Sequence, residues 1–505
     1  MSAQRTRRTG ITIALALVAA ACAAGRASAY VIDEWYVVML DGQRAGSMHY
    51  LEESSSRAVV TINEIHLSVA RGPATIDIEI TSKFTETLDG EPFELVTTQA
   101  LGADPITRTY RWLDDGSIRV TVEQQGESTI QTLDPIPGEW LTPAEARRVV
   151  ATAMFEEAET FEYTMLDFLS GAETVHVTSE RIGERRVELL GKTVPAVEIR
   201  STLSSPPGMT TTEFIGEWGV PVKTTLSVGG LTFSVIRTEP ELAQSDFEPA
   251  ELLLKTFVTP SRAIADPRRL RAATYVLSVP DGTMPDPITT SVQRWERLDD
   301  ARVRVVIDLD RPQPAPLESV RDTRSALSTA MISWRDEKIQ EVGQRAIAGH
   351  EQAPPTERAE LARRYVAAYV TDKSLDVGFA SASEVCRTRE GDCTEHATLL
   401  AAVLRTLGFR SRVVSGLIYA ENFAGRSRIF GYHMWTQALI KDSANEYRWI
   451  DLDATLPADT PFDATHIALA ASAMSNDESI NSMAALAPLL GRLEIEVESA
   501  GPASP

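Results

Sequence analysis

The run Arg311-Pro312-Gln313-Pro314-Ala315-Pro316 constrains the fold more than any other stretch of this chain. Prolines at alternate positions fix φ and delete backbone donors, so the run cannot sit inside a helix or a central strand. It is a stiff, extended connector and a domain boundary. The 505 residues argue for about three domains.

Upstream the pattern is β. Trp35 to Leu40, Asp41-Gly42 and Ser47 to Leu51 read as a hairpin. β-branched runs recur at Ile76 to Ile80, Ile118 to Val122, Val175 to Thr178, Ala196 to Thr202, Thr210 to Ile215 and Leu231 to Ile236. One helix interrupts them: Thr142-Pro143-Ala144-Glu145 supplies an N-cap, a proline in the first turn and a capping-box glutamate. The expectation over 30–256 is a curved antiparallel sheet with a helix against it. His49, His66 and His176 lie in strand-like runs without a partner motif and read as structural or surface residues. A small β region with the proline linker covers 257–316, where Ala301 to Asp308 alternates as a half-buried strand does. Its turn is placed at Asp281-Gly282.

Downstream the order is α, then β. Pro354-Pro355 precedes an amphipathic helix with Leu361 and Tyr365 on one face, and Ser381 to Glu384 starts a shorter one.

Residues 1–29 have the form of a secretory leader: Arg5, Arg7 and Arg8, an apolar stretch from Ile11 to Ala24, then Ala27-Ser28-Ala29 as a cleavage site. Arg7-Arg8 leaves a twin-arginine variant open, and Cys22 a lipoprotein anchor, although Ala19 stands where leucine is usual. No later segment is long and apolar enough to span a bilayer. The expected location is periplasmic or extracellular. The formal net charge is −22, and the leader carries arginines but no acid, so the mature chain is more negative still. Such a chain repels phosphate backbones, which excludes nucleic acid as a partner. Past the leader the cysteines are Cys386 and Cys393, too few for a disulfide scaffold, and the question is whether one works as a thiol.

Gly391-Asp392-Cys393-Thr394-Glu395-His396-Ala397 carries the chemistry. Asp392 and Glu395 form a helix start, Ala397, Leu400, Ala401 and Leu404 recur at helical spacing, and Gly408 suits the far end. Cys393 therefore opens a buried helix, where unpaired N–H groups and the dipole favour a thiolate. Arg412 to Tyr419, Tyr432 to Ile440 and Tyr447 to Leu452 read as strands, bringing His433 and then Asp451 and Asp453. A helix-terminal thiol followed by a histidine and an acid on a sheet is a solution for nucleophilic catalysis. Strand alternation puts Asp451 and Asp453 on one face, so spacing alone does not choose between them.

Gly391-Asp392-Cys393 with Glu395 and Ala397, Arg405 and Gly408-Phe409-Arg410-Ser411-Arg412, His433-Met434-Trp435, and Trp449 with Asp453-Ala454-Thr455 together resemble the transglutaminase-like superfamily over about Leu361 to Pro457. The resemblance implies Cys393 as nucleophile, His433 as base and Asp453 as third member, and acyl transfer or hydrolysis at the amides of a protein or peptide without a cofactor. One departure is Thr436-Gln437 after Trp435, where many relatives carry an acid two positions after the tryptophan. The implied fold class is α+β: a papain-like, transglutaminase-like catalytic domain over 317–465, preceded by mainly antiparallel β domains and followed by a C-terminal extension over 466–505.

Rival readings stay open. Trp435 and Trp449 line a substrate groove or fill the core of the sheet. Cys393, His396 and His433 with an aspartate have the chemistry of a zinc set. Cys386 and Cys393 could pair in an oxidising compartment. A retained fold used only for binding or scaffolding is the non-enzymatic alternative. The second oxyanion donor is not legible.

Overall fold

The computed structural model describes residues 29–501, apart from 72–73, 101–103, 125–126, 168–170, 205–208, 281, 376–377, 443 and 476–485. The expected leader with Cys22 lies outside the described residues, as does Asp281. Among the described residues no helix is long and apolar enough to cross a membrane.

The first strands are β1 (Tyr30–Leu40), β2 (Gln43–Ser54), β3 (Ala58–Arg71), β4 (Ala74–Thr87), β5 (Pro92–Ala100), β6 (Ile106–Trp112), β7 (Ile118–Gln124) and β8 (Glu127–Leu133). Helix α1 (Pro143–Phe155) follows, then β9 (Thr160–Asp167), β10 (Glu173–Leu189), β11 (Lys192–Leu203), β12 (Met209–Ile215), β13 (Pro221–Val228) and β14 (Leu231–Thr238). They form one sheet in the order β8-β7-β6-β5-β4-β3-β2-β1-β14-β13-β12-β11-β10-β9. Each strand pairs with its neighbour in sequence, and β1 joins β14 to link the two runs. The Asp41-Gly42 turn has positive φ at both residues, as a tight hairpin requires. Thr142 and Glu145 complete the capping box that starts α1. The helix is tied down by Arg147, whose Nε and Nη2 donate to buried Glu52 at 2.8 and 2.7 Å.

After a short helix α2 (Pro240–Ala243) and strand β15 (Ala250–Glu251) come β16 (Ala272–Ser278), β17 (Gln293–Asp299) and β18 (Arg302–Asp308). The helices α3 (Leu317–Arg321), α4 (Glu337–Ala346), α5 (Pro355–Tyr369), α6 (Ala382–Thr388) and α7 (Cys393–Thr406) precede β19 (Arg410–Phe423), β20 (Arg426–Lys441), β21 (Tyr447–Leu452), β22 (Ile467–Ser472) and β23 (Glu494–Gly501). A second sheet has the order β17-β18-β16-β23, and a third β21-β20-β19-β22, antiparallel throughout.

The third sheet is covered on both faces. Leu399, Leu400, Val403 and Leu404 of α7 belong to one core with Val413, Met434 and Ala438 of the sheet. Tyr275, Val303 and Val305 of the second sheet belong to another with Leu417, Tyr419 and Phe430. Burial on both faces explains why β19 and β20 read as near-continuous apolar runs. The proline linker lies along this sheet: Ala315 donates its N–H to Tyr447 O of β21 at 2.7 Å and is buried with Leu439 and Trp449. Lying beside β21, it covers a strand edge that would otherwise offer unpaired groups.

Two differences from the sequence reading concern the chain's last part. The described part of 466–505 joins the sheets rather than extending from them: β22 pairs with β19, and β23 completes the second sheet beside β16. Long-range pairing overrides local pattern here, because neither strand has a turn partner next to it in sequence. The large sheet also reaches the third one. Arg71 ends β3 and pairs with Asp392, Arg387 of α6 pairs with Asp104, and Phe84 and Leu95 share the core that contains α7.

Candidate active site

Helix α7 begins at Cys393 because Asp392 caps it. The Asp392 carboxylate accepts from Thr394 N at 2.9 Å, and Glu395 Oε2 accepts from Asp392 N at 2.9 Å. Glu395 Oε1 also accepts from Ala380 N at 3.0 Å, tying the approach to α6 into the cap. Gly391 has φ of +149°, and a Cβ there would lie 2.2 Å from Glu395 Cβ, so only glycine lets the chain enter this cap.

The capping acids share little charge between them. Burial and the neighbouring Asp392 push the Glu395 carboxyl well up. Burial acts on Asp392 too, but the Arg71 guanidinium and the hydrogen bonds it receives outweigh it and hold its carboxyl below the ordinary range. Cys393 is part-exposed. Burial, then the Asp392 charge, push its thiol up, against a hydrogen bond from the Met434 backbone and the Arg71 charge. Burial and the Asp392 carboxylate thus work against the thiolate that a helix terminus favours.

The Met434 contact puts the sulfur beside β20, one residue from His433. His433 Nε2 is 2.8 Å from Asp453 Oδ2, both side chains being buried. With Nε2 engaged, Nδ1 is the nitrogen left for a thiol proton. Among the described residues no hydrogen bond joins Cys393 Sγ to His433.

Asp453, not Asp451, faces His433. Strand β21 stops at Leu452, so alternation no longer applies at the next residue. Asp451 Oδ1 instead accepts from Trp435 Nε1 at 2.8 Å and Gln437 Nε2 at 2.7 Å. Gln437 thus gives the departure noted in the sequence a structural use. The loop holding Asp453 is pinned by Arg363 of α5, whose Nη1 donates to Asp453 O at 3.2 Å and Leu456 O at 3.2 Å.

Trp435 and Trp449 are each 1 % exposed. Trp449 Nε1 donates to Ser319 Oγ at 3.0 Å, and Arg412 lies over its ring. Of the two readings left open for these rings, their burial favours the core, although Trp449 borders a small cavity with Ser319, Asp322 and Arg412. Cys386 is a free buried thiol with Tyr369 Oη donating to its carbonyl at 2.8 Å, and Cys393 is free as well. His396 Nδ1 is 2.6 Å from Asp392 O, which suits donation from a neutral ring, and burial pushes its pKa down. His49 sits between Asp33 and Glu64 and stacks on Trp35, away from the site.

The zinc set imagined around Cys393 and His396 is not assembled. The group that converges within 4.8 Å among the described residues is His433, Asp453 and His466. Within this group His433 and His466 each hydrogen-bond directly to Asp453. The sequence reading missed His466 altogether. It stands in the loop before β22, and no local motif marks it.

Residues 344–454 match a family model described as the transglutaminase-like superfamily. No curated protein matches the chain. Among solved structures it is similar to a β-barrel-like protein of unknown function from Brucella abortus, at 13% identity and a TM-score of 0.32, over 41% of this chain and 95% of that one. It is similar to a candidate cysteine protease from Cytophaga hutchinsonii at 13% identity and a TM-score of 0.26, over 46% and 85% of the two chains. It is also similar to the periplasmic domain of TgpA from Pseudomonas aeruginosa, at 16% identity and a TM-score of 0.23, over 39% and 93%. Residues 344–454 therefore carry a transglutaminase-like domain.

Proposed function

We propose that the protein is a thiol enzyme that acts on amide bonds of a protein or peptide, with Cys393 as nucleophile, His433 as base and Asp453 as the acid that orients it. The observation that carries this reading is the His433–Asp453 hydrogen bond of 2.8 Å beside the capped start of α7. In the reaction, Cys393 Sγ bonds to the carbonyl carbon while its proton passes to His433 Nδ1. The amine or ammonia leaves with that proton, and a thioester remains. Water or an amine then attacks the thioester and restores the thiol. The Cys393 N–H is a first-turn donor without an intrahelical partner and suits the oxyanion. General-base removal of the thiol proton by His433 is worth about 10²–10⁴-fold. The leader-like residues 1–29 support action outside the cytoplasm.

A second reading is a binding or scaffolding module that retains the fold. It is favoured by the burial that pushes the Cys393 thiol up and by the missing sulfur–imidazole hydrogen bond. Iodoacetamide labelling followed by mass spectrometry separates the two, with Cys386 as internal control. The enzyme reading expects Cys393 to be labelled at least tenfold faster than Cys386, with that advantage lost in His433→Ala. Equal rates in the two proteins would remove His433 as base and leave the binding module.

A further inference from the structure

The Asp453 carboxylate has two histidines, not one. Oδ2 receives His433 Nε2 at 2.8 Å and His466 Nε2 at 3.2 Å. Oδ1 receives the Thr455 backbone N–H at 2.8 Å and its hydroxyl at 2.7 Å. All of its acceptor positions are thus filled by donors, which fixes it as an ionised, immobile group.

His466 is enclosed on every side. Its side chain has 0 % exposure. The ring stacks on Phe462 with centroids 4.1 Å apart and meets the Trp435 ring edge-on at 5.3 Å. Its second nitrogen, Nδ1, lies 3.1 Å from Asp463 O and 3.4 Å from Asp463 Oδ1. Both nitrogens therefore face oxygens that can only accept. A neutral imidazole has one N–H and would leave a lone pair against one of them. The geometry requires the imidazolium. The charged groups around it agree. Asp453 and Asp463 touch it, Asp451 lies close by on β21, and the His433 ring is 5.8 Å away. Arg268 neutralises the far side of Asp463 at 2.5 Å, and Arg363 holds the Asp453 carbonyl. Burial opposes the charge on His466, but the two aspartates outweigh it and raise its pKa to about 9.

We propose that His466 is a positioning residue of the site: a buried cation that grips Asp453 beside His433 and restrains the hold of the acid on the His433 proton. The proposal rests on His433 and Asp453 being the working pair. A single anion bonded only to His433 would concentrate its charge there. Sharing the same oxygen with a second cation divides that pull between the two rings.

The test is a histidine NMR titration of the full protein, with nitrogen shifts, in the Cys393→Ala background. This background removes any dependence on thiol chemistry. In the unsubstituted His466 protein, its ring is expected to show both nitrogens protonated from pH 5 to pH 8. A neutral tautomer in that range overturns the proposal without any His466 variant. In His466→Gln, which keeps an N–H donor but loses the charge, the pH at which the His433 signals cross over is expected to rise. A purely structural role predicts lower stability with an unmoved crossover, and that result also overturns it. Stoichiometric zinc that broadens both rings in the purified protein would do the same, by showing that an ion occupies this place. Failure of the enzyme reading shows elsewhere, in Cys393 labelling that ignores His433→Ala, so the two are distinguishable.

Discussion

Arg71 Nη2 lies 2.6 Å from Asp392 Oδ2, joining the last residue of a strand in the large sheet to the residue before Cys393. The side chains are 21% and 6% exposed, so water does little to screen the pair. The large sheet thereby sets the charge beside the candidate nucleophile, since Arg71 is one of the few influences that lower the thiol.

Arg71→Ala leaves a mostly buried carboxylate without its counter-charge. The expected loss is about 2 kcal/mol of stability, below the range for fully buried pairs because Arg71 is partly wetted. Lys192→Ala, which breaks a surface pair with Glu239, should cost far less, because water screens that pair. Urea unfolding of both variants checks the contrast. Equal losses would mean that the Arg71 pair is screened like a surface one.

Gly391→Ala combines positive φ with a Cβ 2.2 Å from Glu395 Cβ. It should cost roughly 2 kcal/mol or more and slow Cys393 labelling by disturbing the cap. Gly349→Ala has a φ of +79° with nothing within 4 Å of the new Cβ, so it reports backbone strain alone, on the order of 1 kcal/mol. Thermal melts that match for the two variants would remove the steric argument.

Trp435→Phe and Trp449→Phe test the core assignment. The first leaves Asp451 with one donor fewer and should cost about 1–3 kcal/mol; the second removes the Ser319 bond at similar or smaller cost. Cys393 labelling should stay within about twofold in Trp449→Phe, whose ring lies in a cluster with Ala315 and Leu439 rather than at the thiol. A large drop there, with stability intact, would return this ring to the groove.

Stability should also fall on the alkaline side. The His466 pKa rises from 6.5 to about 9 on folding. Its contribution is therefore complete below about pH 6.5 and lost as pH climbs through about 9, for a total of roughly 3 kcal/mol. Urea unfolding between pH 6 and pH 9.5 should show this decline, and His466→Gln should lack it.

What the sequence revealed was local. Asp392 with Glu395 and Thr142 with Glu145 announce their helices because a cap needs only three residues, and Asp41-Gly42 announces its hairpin for the same reason. Cys393, His433 and Asp453 were legible because each sits in a short motif. Nothing of that kind marks Arg71 or His466, whose partners come from distant segments. The alanine-rich strand Ile467–Ser472 has no periodicity to separate it from a helix or a loop. The surroundings of Cys393 were only half legible for a related reason: a helix dipole is visible in sequence, while burial is not.

Strand β16 is hydrogen-bonded to β18 on one side and to β23 on the other, and every residue proposed for the chemistry lies between β16 and β23 in the chain. As the polypeptide emerges from the ribosome, β16 must wait for Glu494–Gly501 before its sheet can close. Such distant pairing is slow to form. The thiol is thus synthesised well before the support beneath its sheet is complete, and the order of emergence itself delays the moment at which the site can take shape.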